Sequence, residues 1–183
     1  MTIEQLKARI PDSARDLRIN LGVIASSTVL TPQQAWGTAL ACAVTSRNPE
    51  VVAALVDEAA ARLSPEAIAA ARGAASIMGM NNIYYRFQHM MGEGSEYASL
   101  PARLRMQTIA RPGVAQVDFE LWCLAASAIT GCESSVRAHE HSLREHGGTI
   151  EQVQDAVRIA AVIHAVALTL DTSPAAAGAA VAA

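Results

Sequence analysis

Residues 119–148 read FELWCLAASAITGCESSVRAHEHSLREHGG, and the reading of this stretch decides the fold class. From Phe119 to Thr130 the run is apolar and rich in Ala and Leu, with no Pro or Gly, which is helix composition. Thr130-Gly131 breaks that helix, and a second begins at about Cys132 and runs to Gly147-Gly148. Cys132 then falls in a first turn, where free backbone N–H groups and the helix dipole favour an anion and lower the pKa of a thiol. Cys132 and Ser135 are spaced i,i+3, and Ser135 and His139 i,i+4, so sulfur, hydroxyl and imidazole share one helix face while His141 points away. Glu120 lies on the preceding helix, and the helix-turn-helix return brings it beside His139, where a carboxylate orients the ring and raises its basicity. The four residues form a set of nucleophile, base and orienter.

The same helical character extends outward in both directions. The chain has 183 residues, 51% hydrophobic but only 4% aromatic, so its core is built from Ala, Val, Ile and Leu in an all-α fold. Start signals stand at Thr31-Pro32-Gln33-Gln34, Ser64-Pro65-Glu66 and Thr149-Ile150-Glu151, each a cap residue ahead of an acidic or amide side chain. Breakers at Asn48-Pro49, Gly92 to Pro101, Arg111-Pro112-Gly113 and Gly147-Gly148 divide the chain into roughly eight short helices.

Superposing Trp36 on Trp122 exposes an internal repeat at an offset of 86 residues, covering about 31–90 and 117–171. Arg72 then meets Arg158, Ala74-Ala75 meets Ala160-Ala161, Ile77 meets Ile163, and Gln34 meets Glu120. Position 132 is Cys where position 46 is Ser, and 139 is His where 53 is Ala, so the chemistry belongs to the second half. A single domain over 1–171 is expected, followed by a flexible Ala-rich tail over 172–183.

Several function classes are set aside. A net charge of −3 with interspersed signs offers no footprint for nucleic acid. The longest apolar run, Ile159 to Leu170, is too short to cross a bilayer, and the amphipathic N-terminus is unlike a signal peptide, so a cytoplasmic protein with no membrane partner is expected. Three cysteines cannot form a fully paired disulfide framework. Cys42 and Cys123 lie in apolar helical stretches and read as core, and His89, His146 and His164 as structural. The spacing of Cys132, His139 and His141 matches no standard zinc set, so no metal is expected. Met78 to Asn82 place two adjacent Asn in mid-helix, a sign either of buried hydrogen bonding near the site or a subunit contact, or of plain core packing.

The stretches MTIEQLKARIPDSARDLRINL (1–21), QQAWGTALACA (33–43), GAASIMGMNNIYYR (73–86), FELWCLAASAITGC (119–132) and AHEHSLR (138–144) resemble the alkylhydroperoxidase D (AhpD) family, within the carboxymuconolactone decarboxylase superfamily. The resemblance implies an AhpD-like helical fold assembled as a homotrimer. It also implies an antioxidant peroxidase working beside an AhpC-type peroxiredoxin, with no bound cofactor. Reducing equivalents would come from lipoyl groups (dihydrolipoamide) of a dihydrolipoamide acyltransferase, and ultimately from NADH. The family motif of Glu, Cys-x-x-Cys and His maps onto Glu120, Cys132, position 135 and His139. In the family the second Cys attacks peroxide after a His/Glu relay deprotonates it, and the first resolves the sulfenic acid as a disulfide. Here position 135 is Ser, a poor nucleophile toward peroxide oxygen that forms no disulfide. The chain is therefore expected to be an impaired form. Retention of the other three residues favours a deliberate Cys→Ser exchange over natural divergence. Three further readings stand beside this one: a carboxymuconolactone decarboxylase-like enzyme using His139, a Ser135-His139-Glu120 hydrolase lacking the usual strand-to-helix elbow, and a non-catalytic helical oligomer that binds a peroxiredoxin or a lipoylated partner.

Overall fold

The computed structural model describes residues 1–92 and 94–173, and these are all-α, with no strand among them. Three short helices, α1 (Ile3–Arg9), α2 (Asp16–Asn20) and α3 (Val23–Ser26), lead into α4 (Pro32–Ser46), α5 (Pro49–Ala60) and α6 (Pro65–Met91). A short α7 (Gln107–Ala110) then precedes α8 (Gln116–Thr130), α9 (Glu133–Glu145) and α10 (Ile150–Thr172).

The starts read from sequence are the observed ones. Thr31 and Thr149 each close a capping box, with Gln34 and Gln152, and Ser64 accepts from the amide of Ala67 ahead of Pro65. Asn48, expected as a breaker, also caps α5 through the amide of Val51. The helices are not uniformly short. α6 runs 27 residues and passes through Gly73 and Gly79, neither of which takes a positive φ, with a buried row from Ala67 to Asn82.

α4 and α8 are buried on nearly every face and cross at the centre of the core. Gly37 makes the crossing possible, since a Cβ there would lie 2.3 Å from the Trp122 ring. The indole N–H of Trp122 donates to the Gln34 carbonyl at 3.3 Å. Cys42 and Cys123 are fully buried in these two helices, as read from sequence. α10 covers them with a row formed by Ala156, Ile159, Ile163, Val166 and Leu170. At 23 residues this helix is longer than the apolar run inside it, and by length and composition it reaches what a membrane crossing needs. Its buried row packs on α4 and α8 as core, and Asp155 ties it to the segment after α3 by accepting from Ser27 Oγ at 2.7 Å, with Arg158 of the same helix on its other oxygen.

Shifted by 86 residues, the starts of α4, α5 and α6 fall within two residues of the starts of α8, α9 and α10. α10 extends through Thr172, and Ser173 donates back to the Thr169 carbonyl, so the helix reaches into the expected tail. The rest of that tail, 174–183, lies outside the described residues.

Candidate active site

The turn between α8 and α9 sets the position of the site. Gly131 is left-handed (φ +68°), its amide reaches the Ala128 carbonyl, and the amide of Cys132 reaches the Ser127 carbonyl at 3.2 Å, the paired bonds of a Schellman stop. Cys132 is thereby the N-cap of α9, one residue ahead of the first turn in which the sequence reading placed it. Its thiol is fully buried and donates to Ser135 Oγ at 3.1 Å, with Ser134 Oγ at 3.4 Å. Burial opposes ionisation of this thiol. The hydroxyls of Ser134 and Ser135, the Ser135 amide and the positive charge of Arg86 outweigh it and hold the pKa below the ordinary value.

One turn further on, His139 Nδ1 lies 2.5 Å from Glu120 Oε2, and Gln116 Nε2 donates to Glu120 Oε1 at 2.7 Å. Glu120 is only 3% exposed. Burial disfavours its charge, yet the hydrogen bonds from His139 and Gln116, the charge of His139 and the Ser142 hydroxyl together hold the carboxyl below its ordinary range. The expected Glu–His pair is thus formed. The expected continuity from hydroxyl to imidazole is not, because His139 Nε2 rests against Met78 Sδ at 3.1 Å and no direct hydrogen bond joins it to Ser135 or Cys132. Ser135 and His139 still face one space, a cleft of about 250 Å³ lined also by Asn81, Tyr85, Met106, Ile109, Ser134 and Ala138. Position 135, not Cys132, forms its wall. A bridging water or a substrate oxygen in the cleft would complete the link between base and position 135.

The remaining candidates are placed elsewhere. His141 is exposed beside Glu145, His89 lies near Glu133, His146 bonds the Ser142 carbonyl, and His164 lies 3.3 Å from Ser46 Oγ. A larger groove of about 600 Å³ between α2, α3 and α10 has Arg158 as its one ionisable lining residue among the described residues, in place of the acid-base set of the smaller cleft.

Residues 95–178 match the Carboxymuconolactone decarboxylase family. The chain is 57% identical over 171 residues to the alkyl hydroperoxide reductase AhpD of Gluconacetobacter diazotrophicus, covering 93% of each chain. It is 52% identical over 178 residues to the protein of the same name from Rhodospirillum centenum, covering 97% of this chain and 95% of the relative. The counterpart from Solibacter usitatus is 51% identical over 171 residues, covering 93% and 96%. The chain belongs to the alkyl hydroperoxide reductase AhpD family.

Within this AhpD framework, four groups around the site were not singled out from sequence. Gln116 is one turn ahead of Glu120, a spacing that a search for amides at i−4 of the carboxylate would have found. Arg86 reaches the Thr130 carbonyl at 2.8 Å and Met106 enters from the segment before α7, neither with a local signal. Tyr85, on the cleft side of α6, likewise carries no local signal. The Asn pair is resolved by the structure: Asn82 links Thr130 and Ser127 at 2.7 and 3.1 Å, whereas Asn81 turns to the cleft side and donates to Met106 Sδ.

Proposed function

We propose that this chain is built for alkyl hydroperoxide reduction in the manner of the AhpD relatives, with position 135 as the attacking site, Cys132 as the resolving thiol, His139 as the base and Glu120 as its relay. The observation that carries the reading is that one member of each of two pairs lines the same cleft: Ser135, 3.1 Å from the buried Cys132, and His139, 2.5 Å from the buried Glu120. With sulfur at position 135, a thiolate would take the terminal peroxide oxygen as the O–O bond breaks, and the alkoxide would leave with a proton delivered through His139. Cys132, already in van der Waals reach, would then displace water from the sulfenic acid to form the disulfide. A lipoyl dithiol, charged ultimately from NADH, would reduce it. With Ser135 the cycle lacks its nucleophile, whether the serine arose by exchange or by divergence.

Assembly as a homotrimer fits an exposed apolar strip on α6, where Ile83, Phe87, Met90 and Met91 recur at helical spacing, with Tyr97 and Leu100 beyond. An AhpC-type peroxiredoxin and a lipoylated dihydrolipoamide acyltransferase are the partners this reading implies, in the cytoplasm.

Replacing Ser135→Cys tests the proposal directly. Hydroperoxide consumption dependent on dihydrolipoamide should appear, vanish again on adding Cys132→Ser, and fall by about 10²–10⁴-fold on adding His139→Asn. Turnover that stays at the background of the parent chain would sink it. The match to the Carboxymuconolactone decarboxylase family gives a second reading some footing, with His139 as acid-base group. Lactone turnover that survives thiol alkylation would select it.

A further inference from the structure

With serine at position 135, the sulfur that lines the cleft belongs to Met106. Cys132 is fully buried beneath the wall, and Met78 is fully buried behind His139. Met106 is half-buried, and its thioether receives two donors from α6, Asn81 Nδ2 at 3.4 Å and Tyr85 OH at 3.8 Å. Both contacts are weak, because a thioether is a poor acceptor. Asn81 is only 3% exposed, and among the described residues its Oδ1 has no partner and its Nδ2 has only this sulfur. A buried amide left so poorly satisfied costs free energy that a stronger acceptor beside it would recover.

We propose that Met106 is an oxidation site for alkyl hydroperoxides, its thioether becoming a sulfoxide whose oxygen is received by Asn81 and Tyr85. The inference rests on the reading that the cleft admits such hydroperoxides. A sulfur lone pair attacks the terminal peroxide oxygen and forms the S–O bond as the O–O bond breaks. The terminal oxygen's proton passes to the departing alkoxide, giving one alcohol and one sulfoxide. The sulfur is oxidised by two electrons and the peroxide reduced by two, so no further reductant is needed. Ile109 and Ala138 supply apolar wall for the alkyl group, and the sulfoxide oxygen is a far stronger acceptor than the thioether it replaces. Met106 would thus act as a one-turn scavenger that a sulfoxide reductase resets.

The experiment treats the full chain with tert-butyl hydroperoxide and follows each methionine by peptide mass spectrometry. Met1, 37% exposed and outside the apolar strip of α6, serves as the internal reference. Met106, half-buried, should gain an oxygen atom faster than Met1, reversing the order that exposure alone dictates. Tyr85→Phe should slow Met106 about fivefold, the factor that one lost hydrogen bond corresponds to, and leave Met1 unchanged. Oxidation of Met106 slower than that of Met1, or a rate indifferent to Tyr85→Phe, overturns the proposal. The Ser135→Cys chain separates the two ideas. Dithiol-dependent turnover there without preferential Met106 oxidation in the parent removes only this inference. Preferential oxidation without such turnover leaves this inference standing and removes the enzymatic reading.

Discussion

Cys42, Cys123 and Cys132 are all buried, and their surroundings drive their ionisation in opposite directions. Burial alone pushes the Cys42 thiol up, and burial with the negative charge of Glu120 pushes up Cys123. Around Cys132 the hydrogen bonds with the Ser134 and Ser135 hydroxyls, the Ser135 amide and the charge of Arg86 overcome the same penalty. A titration of thiolate absorbance should therefore find one thiol ionising below the ordinary value and two well above it. Ser134→Ala should raise the Cys132 midpoint, since a hydrogen bond to the charged form is lost. Unchanged ionisation in that variant would refute the assignment. The linkage has a definite sign. Above the ordinary thiol pKa of 9.0 the unfolded chain releases protons that Cys42 and Cys123 retain when folded, so these two thiols lower stability as pH rises. Cys132 acts oppositely, its contribution being lost as pH falls through its depressed folded value.

At the level of helices, caps and stops were legible and crossings were not. Thr31, Ser64 and Thr149 act within one turn of themselves, so their pattern is local and the sequence displays it. Gly131 is likewise a local stop, and it delivers Cys132 to the head of α9. Gly37 has no such signature, because its role depends on Trp122 arriving from another helix. Gly37→Ala should cost about 1–3 kcal/mol in urea unfolding, as overpacked cores do, with little change in the denaturant slope. A variant as stable as the parent would mean that α4 and α8 separate more easily than their packing implies.

For the whole molecule, the exposed apolar strip of α6 is the feature a lone chain leaves unexplained. If that strip is the trimer contact, light scattering should find the parent chain as a trimer and a Phe87→Glu, Met90→Glu variant as a monomer. A monomeric parent would refute the assembly. The sequence by itself determined the all-helical class, the helix starts at Thr31, Ser64 and Thr149, and the presence of Glu120, Cys132, Ser135 and His139 on two successive helices, because periodicity and capping are encoded within a few residues. It also displayed the serine at the position where the resemblance calls for a second thiol. Only the tertiary structure decided which atoms meet. His139 turns Nδ1 to Glu120 and Nε2 to Met78 rather than to Ser135, Arg86 comes to the Cys132 turn, and Asn81 and Tyr85 converge on Met106. These partners lie on helices whose relative placement is set by core packing around Gly37 and Trp122, and no local pattern along the chain records that placement.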